Sequence, residues 1–580
     1  MLQPKHTYTR NEVTNWPIPN YWDAVALILV FAVICLIGLG ARSMLGQFHL
    51  GETVSISLNP AYLPYYALLT VLRMFVALFL SLLFAFIFAT WAAKSRQAEK
   101  IIIPIIDILQ SVPVLGFQTI TIVGFIVLFR GSLLGPECAA IFAIFTAQAW
   151  NIALSFYQSL KMVPQEMHEA SSVFQLSGWQ KFWRVEVPFA MPGLVWNIML
   201  SLSGSWIFMV ASEAISVAGQ TIYLPGIGSY IALAILQKDV SAIIYVIITM
   251  LIVIGLYDQL LLRPLVAWSE KFKTSDVTNE IEPNSWVLNL FQRTRFLRHL
   301  GNRWQNISNS LVNVIRLRQS SYIRPQTFKE RYRRIFTLSW NIILIIIVIL
   351  ALIVLVRFIF EEITWSEIAM VFYYGAMTAL RVLAALIIST IIWVPLGVRI
   401  GLSARASQIM QPIAQFFAAF PMNLIFPIFV WAILQFSLNV NIWVTPLMLL
   451  GSQWYVLFNV IAGTIALPKN LHDAVGTLNV RGWLWWRKLI LPGIFPYYIT
   501  GAITAAGNAW NVSIIAEAVS WGHTQLWAVG LGAYIVKASN VGDFRRVILG
   551  IVVMSIYVLL FNRIVWRPLY NLAEERYKIR

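Results

Sequence analysis

Twelve apolar runs of membrane-spanning length occupy most of this 580-residue chain and constrain everything else about it. About 20 consecutive apolar residues cross a bilayer core as a helix, because a helix satisfies its own backbone donors and acceptors where no water can. The runs fall near 22–40, 64–92, 101–130, 137–160, 190–217 and 241–262, then near 338–359, 368–398, 410–436, 440–466, 494–520 and 545–566. Pro113 and Pro421 interrupt the third and ninth and should bend them, since proline removes a helical hydrogen bond. Composition agrees: 59% of the residues are hydrophobic and 12% charged, about half the charge of an ordinary soluble domain. A soluble enzyme is therefore excluded. The two cysteines, Cys35 and Cys138, lie in apolar stretches and rule out a disulfide scaffold or a cysteine-rich metal centre.

The net charge of +17 could point to nucleic acid, so its location decides. Lys94, Arg96 and Lys100, then Lys161, Lys181 and Arg184, Arg399 and Arg405, and Lys469, Arg481, Arg487 and Lys488 fall in one set of loops, with Arg576, Lys578 and Arg580 in the tail. The alternate loops hold few, chiefly Arg42, Lys238 and Lys537. The positive-inside rule then puts both termini in the cytoplasm, and no nucleic-acid partner is needed to explain the charge. The first twenty residues are polar and do not read as a signal peptide, so the first span is expected to be retained. Residues 265–336 form the long polar interruption, basic over most of its length. It reads as a cytoplasmic tether or as amphipathic helices lying on anionic lipid.

The two halves repeat. Residues 168–231 align without a gap on 472–535, at a shift of 304, with about 14 of 64 positions identical. Pairs include His168/His472, Ala170/Ala474, Gly178/Gly482, Trp179/Trp483, Pro188/Pro492, Trp206/Trp510 and Glu213/Glu517. Gly226, Gly228 and Tyr230 likewise match Gly530, Gly532 and Tyr534. Upstream the shift becomes 308, pairing Thr70/Thr378, Arg73/Arg381, Ser95/Ser403, Pro104/Pro412 and Pro113/Pro421. Equivalent segments have the same orientation, so the repeats are parallel and related by an axis along the membrane normal. The seam on that axis is the natural place for a path through the bilayer.

The best-matched loop lies between the fourth and fifth spans of each half. Glu169 or Asp473 is followed by Ala170 or Ala474, then by Gly178-Trp179 or Gly482-Trp483, a base at Arg184 or Lys488, and Pro188 or Pro492. A loop needing only polarity would not hold such positions twice. It reads as a shaped surface that docks a partner, with tryptophan as the anchor, or as a locally packed helix–turn–helix. The pattern resembles the EAA loop of binding-protein-dependent ABC importer permeases, particularly the fused anion-transporting branch (nitrate, sulfonate, taurine, bicarbonate). The Thr-x-x-Arg pairs and the bends at Ser111–Pro113 and Ala419–Pro421 add to the resemblance. Two departures stand out: the family's usual glycine six positions after the acid is Gln175 in one copy and Asn479 in the other, and the second copy begins with Asp473.

The resemblance implies an all-α polytopic protein of two tandem six-helix permease domains, at 22–264 and 337–567, flanked by cytoplasmic tails at 1–21 and 568–580. It also implies a bacterial cytoplasmic (inner) membrane location, two separate ABC ATPase subunits that carry ATP and Mg, and an extracytoplasmic substrate-binding protein. No Gly-Lys pair occurs anywhere, so a P-loop is absent and ATP hydrolysis falls to a partner. No catalytic residue, resident cofactor or metal is expected; His168 and His472 stand alone in their loops. Polar residues within the spans are the candidates for the path: Gln110, Ser111, Asn151, Trp206, Gln453, Asn508, Trp510 and Asn511. Each could instead bond helix to helix. Glu213 and Glu517 line the path or act as structural acids that cap a re-entrant turn. The rival class is an ion-coupled secondary transporter, which needs charged residues at the midplane, where amides predominate.

Overall fold

The computed structural model describes residues 21–44, 55–217, 220–272, 285–294, 349–468 and 477–576, with isolated positions between them. Among these, eight helices are long and apolar enough to cross a membrane, and ten spans result when each of two bent pairs counts as one. In the first half the main helices are α1 (Tyr21–Met44), α2 (Leu63–Phe84), α3 (Arg96–Ser111), α4 (Val114–Leu128), α5 (Leu134–Lys161), α6 (Gln165–Val173), α7 (Val187–Glu213), α8 (Ile227–Gln237) and α9 (Val240–Tyr257). In the second they are α10 (Trp365–Gly401), α11 (Ala404–Ala419), α12 (Phe426–Gln435), α13 (Val440–Ile465), α14 (Leu491–Ala516), α15 (Leu531–Val541) and α16 (Phe544–Phe561). The first expected span coincides with α1. The seventh is helical over Ile349–Phe360, and much of its earlier part lies outside the described residues, as do most of the linker and the first twenty residues.

Local chemistry sets these boundaries. Ser95 and Ser403 cap α3 and α11 by accepting from the Ala98 and Ala406 amides, each at 3.4 Å. Asp239 and Asp543 cap α9 and α16 in the same way, each at 3.1 Å. The expected proline bends are present: α3 and α4 meet at 92° beside Pro113, and the second pair at 69° beside Pro421. Pro188 and Pro492 each follow a wide turn inside continuous helices, Gly178–Glu213 and Trp483–Ala516, where a missing amide is accommodated by the altered ladder.

One expectation is corrected. The fifth spans do not run to 217 and 520 but end at Glu213 and Ala516, and antiparallel hairpins follow. These pair β1 (Ala214–Val217) with β2 (Gln220–Tyr223) and β3 (Ala518–Trp521) with β4 (Thr524–Trp527). Each is closed at its base by an amide reaching back over it, Leu224 to the Glu213 carbonyl at 2.8 Å and Ala528 to the Glu517 carbonyl at 3.0 Å. The repeat extends to irregular backbone. A wide π turn at Phe182–Glu186 recurs at Trp486–Ile490, and one at Asp258–Leu262 recurs at Asn562–Trp566.

The chain packs as two compact units. The smaller takes its described residues from 21–39, 163–192 and 259–294 with isolated positions beyond, and contains the loop between the fourth and fifth spans of the first half. The larger comprises 40–162, 193–258 and 322–580, and holds most of the spans of both halves. Within the larger unit the segments beside the bends cross between halves: α4 packs on α14 and α16, and α11 on α9.

Candidate functional site

The most ordered polar constellation occurs twice in the larger unit. Glu213, at the end of α7, receives the Thr70 hydroxyl at 2.7 Å and an Arg73 guanidinium N–H at 2.6 Å on Oε1, and the Gly228 amide at 2.6 Å on Oε2. Thr70 Oγ1 in turn accepts from the Ile227 amide at 3.1 Å. In the second half Glu517 receives Thr378 at 2.8 Å, Arg381 at 2.7 Å and the Gly532 amide at 2.8 Å, while Thr378 accepts from Leu531 at 2.9 Å. Thr70, Arg73, Glu213, Thr378 and Glu517 are 0% exposed, which is tolerable because every charge is met. Each carboxylate thus caps a short helix, α8 or α15, and fixes it to the start of the second or eighth span. Gly226 and Gly530 make the approach possible: a Cβ there would stand 2.3 Å and 2.2 Å from the carboxylates. The Thr-x-x-Arg, Glu and Gly-x-Gly elements, separate in sequence, form one clasp.

The copies differ in charge. Arg73 also forms a two-pronged pair with Glu137, both bonds at 2.6 Å, and donates to the Pro225 carbonyl at 2.9 Å. The residue 304 positions on is Asn441, whose carbonyl and side-chain oxygens accept from Arg381 at 3.1 and 3.2 Å. One guanidinium therefore faces two carboxylates in the first half and one in the second. Sequence reasoning missed Glu137 and Asn441. The signal available was a lone acid at the start of a span whose repeat partner is an amide.

The fifth helices supply a second arrangement. A Cβ added at Gly204 would lie 3.1 Å from the Tyr455 hydroxyl and 3.9 Å from Asn508 Oδ1. Asn511, one turn further, accepts the Val114 amide on Oδ1 at 3.0 Å and donates to the Gly507 carbonyl at 3.1 Å. Across the pseudo-two-fold, Asn423 donates to the Ile207 carbonyl at 3.3 Å. Each bend is thus bonded to the fifth helix of the opposite half. Gln110 and Asn151 are exposed and paired at 2.6 Å. Gln453 is buried and accepts from Trp393 at 3.0 Å. Trp206 and Trp510 are buried against Tyr257 at 5.5 Å and Phe561 at 6.2 Å, in the seam between the fifth and sixth spans, and present no open surface. The Ser111 side chain lies outside the described residues.

The tryptophans of the two loops are exposed to different extents. In the first, α6 carries Glu169 and Ala170, both exposed, and ends in a turn at Gln175 with φ of +50°. Ser177 and Gln180 then form a reciprocal cap around Gly178. Trp179 is half-buried, edge-on to Trp183 at 5.7 Å. In the second, Asp473 and Ala474 lie outside the described residues. Asn479 has φ of +51°, Gly482 has φ of +65°, and Trp483 is 72% exposed. Gln175 and Asn479 are the positions where the family usually has glycine, and the left-handed turn that glycine favours is made here without it. Among the described residues no cluster of His, Cys, Asp or Glu could hold a metal ion.

With this geometry in hand, comparison with known proteins is informative. A sequence model of the family described as "Binding-protein-dependent transport system inner membrane component" matches residues 81–261 and again 393–567. Among curated relatives, the nitrate import permease protein NrtB of Leptolyngbya laminosa is 28% identical over 194 residues, 33% of this chain and 66% of that protein. The bicarbonate transport system permease protein CmpB of Synechococcus elongatus is 25% identical over 197 residues, again 33% and 66%. The glycine betaine/proline betaine transport system permease protein ProW of Escherichia coli is 27% identical over 212 residues, 35% and 55%. The chain thus spans 66% or less of the length of these relatives.

Proposed function

The chain belongs to the family of binding-protein-dependent transport system inner membrane components, matched in both halves, and on that premise we propose that it forms the translocation pathway of an ATP-driven importer. Two separate ATPase subunits engage the two loops, and an extracytoplasmic binding protein delivers the substrate. In this reading both termini face the cytoplasm, which the Lys and Arg distribution supports. Closure of the ATPase pair draws the loops together and moves the pathway between two global states, each favoured by a different nucleotide condition. The observation that carries this reading is the paired turn: Gln175 and Asn479 both adopt the left-handed conformation six residues after an acid, although the two side chains differ. A backbone shape retained twice at the same register fits a surface that must match one kind of partner twice.

The proposed substrate is a small anion such as nitrate or bicarbonate. The nitrate and bicarbonate permeases among the relatives support this, as do the neutral amide and hydroxyl groups on the fifth helices, which can meet an anion without trapping it. A tagged pull-down from gently solubilised native membranes, weighed as an intact complex, tests the assembly. Two ATPase copies per chain are expected, and Glu169→Lys with Asp473→Lys should release them. Uptake that persists without any ATPase and collapses with an uncoupler would instead establish an ion-coupled secondary transporter.

A further inference from the structure

Gly204 and Asn508 are equivalent under the 304-residue repeat, and they also approach each other, since a Cβ on Gly204 would lie 3.9 Å from Asn508 Oδ1. Equivalent residues that meet must lie close to the pseudo-two-fold axis, where the path is expected. The Tyr455 hydroxyl closes on the same point at 3.1 Å. Its repeat partner is Asn151.

The two sides of this crossing differ. Toward the loop end of α14, Thr500, Thr504 and Gly507 are exposed and Asn508 is half-buried, spaced so as to share one helix face. Each hydroxyl or amide donates to the carbonyl four residues back, at 3.0 Å for Thr500 and Thr504 and 3.3 Å for Asn508. That face is chemically unlike the exposed face of α9. On α9, Ile244, Ile248, Ile252 and Leu256 are all exposed and all apolar, as a surface that meets only lipid would be. The equivalent face of α7 carries Trp196, Leu200, Ser203 and Gly204, so only the second half supplies a polar track. Toward the clasp end, the two bends are bonded across to Asn511 and to Ile207, and Ile207 is buried. The exposed polar groups thus lie on the loop side of the crossing, and the bonds between the two halves on the clasp side.

From this we infer that Gly204, Tyr455 and Asn508 form the constriction of the path, and that Asn508 is a specificity-determining residue which offers a passing oxyanion one neutral amide on the axis. The inference rests on the importer reading above. Gly204 is the complement of Asn508: any side chain there would press on Tyr455 and fill the space beside the amide. An amide can donate to an anion without the charge pairing that would hold it, whereas a carboxylate at the same point would repel it.

The test uses the chain with its ATPase partners in proteoliposomes, with labelled nitrate and labelled bicarbonate as probes. Asn508→Asp and Gly204→Asn should each lower uptake by about tenfold or more. The exchange variant, Gly204→Asn with Asn508→Gly, keeps one amide on the axis and should recover uptake above either Asn508→Gly or Gly204→Asn alone. Wild-type uptake by Asn508→Asp, or an exchange variant no better than its parents, overturns the inference. ATPase co-purification with every variant separates a blocked path from a misfolded one. Wild type that carries neither probe refutes the anion reading, and the position of the constriction is then decided by labelling. With Cys35 and Cys138 replaced, Thr504→Cys in the nucleotide-free complex should react with an impermeant thiol reagent from the loop side only. Reaction from the opposite side overturns the constriction.

Discussion

The unequal clasps make a quantitative prediction. Removing one partner of a buried ion pair costs about 3–5 kcal/mol, because the remaining charge is left without compensation. Arg381→Leu leaves one carboxylate, Glu517, which keeps the Thr378 hydroxyl and the Gly532 amide. Its cost belongs near the lower bound, about 3 kcal/mol. Arg73→Leu leaves two, Glu137 and Glu213, both buried and both previously joined by the same guanidinium, and belongs at or above the upper bound of about 5 kcal/mol. Glu137→Asn reproduces the second-half arrangement and, added to Arg73→Leu, should return about 1–2 kcal/mol. Amide hydrogen exchange at Ile227 and Gly228, compared with Leu531 and Gly532, reads these values directly, since those amides are the ones the clasps hold. Three kcal/mol corresponds to an increase in opening of about two orders of magnitude. An Arg381 variant that opens its clasp as far as the Arg73 variant does would show that Glu137 adds no buried charge, and a double variant less stable than Arg73→Leu would refute the reasoning outright.

Other consequences are as direct. Gln175→Gly and Asn479→Gly should each stabilise by about 0.5–1 kcal/mol, the cost of a left-handed side chain less the added freedom of the unfolded glycine, and a lowered melting temperature would contradict this. Gly226→Ala and Gly530→Ala should destabilise by about 1–3 kcal/mol or more by displacing a carboxylate, while Gly124→Ala, with nothing within 4 Å, should not; comparable thermal shifts in all three would contradict the close approach. Asn511→Leu deprives the Val114 amide of its acceptor and should cost about 1–3 kcal/mol, read as faster exchange at Val114. Unchanged exchange there would mean that the Pro113 bend does not depend on the opposite half.

How much of this the sequence disclosed depends on the physics involved. Span positions were legible because crossing a bilayer demands length and apolarity together, and these leave an unbroken trace. The bends were legible because proline has a fixed local effect. The hairpins were not: Ala214–Val217 and Ala518–Trp521 are short and largely apolar, so they read as continuations of the helices before them. The clasp was half-legible. Its Thr-x-x-Arg, Glu and Gly-x-Gly parts stood out as repeated letters, yet more than 130 residues separate Arg73 from Glu213, and no local pattern says that they meet. The directions of Trp206 and Trp510 were illegible for a related reason. An indole within a span offers both an N–H and a large apolar face, and here packing against Tyr257 and Phe561 decided its direction.

The crossing of the fifth helices also shows what fusion of two halves makes possible. In a symmetric pair of identical chains, any residue on the two-fold axis is present twice. Two asparagines at the Gly204 and Asn508 positions would compete for a space in which even a Cβ comes within 3.1 Å of Tyr455, and two glycines would leave the axis without that amide. A single chain escapes the choice by placing a different residue in each copy. The same freedom sets Asn151 against Tyr455 and Glu137 against Asn441, while two of the π turns and the left-handed turns at Gln175 and Asn479 keep their register in both halves. The duplicated features include the clasps and the turns of the loops; the divergent ones named here lie at the crossing or in the charge of a clasp. If that division is physical rather than incidental, making the axis symmetric should be more damaging to transport than making the clasps symmetric. Asn508→Gly should therefore lower nitrate or bicarbonate uptake about tenfold or more, and Glu137→Asn by less than about threefold, in the same proteoliposomes. The reverse order would place the functional asymmetry in the clasps.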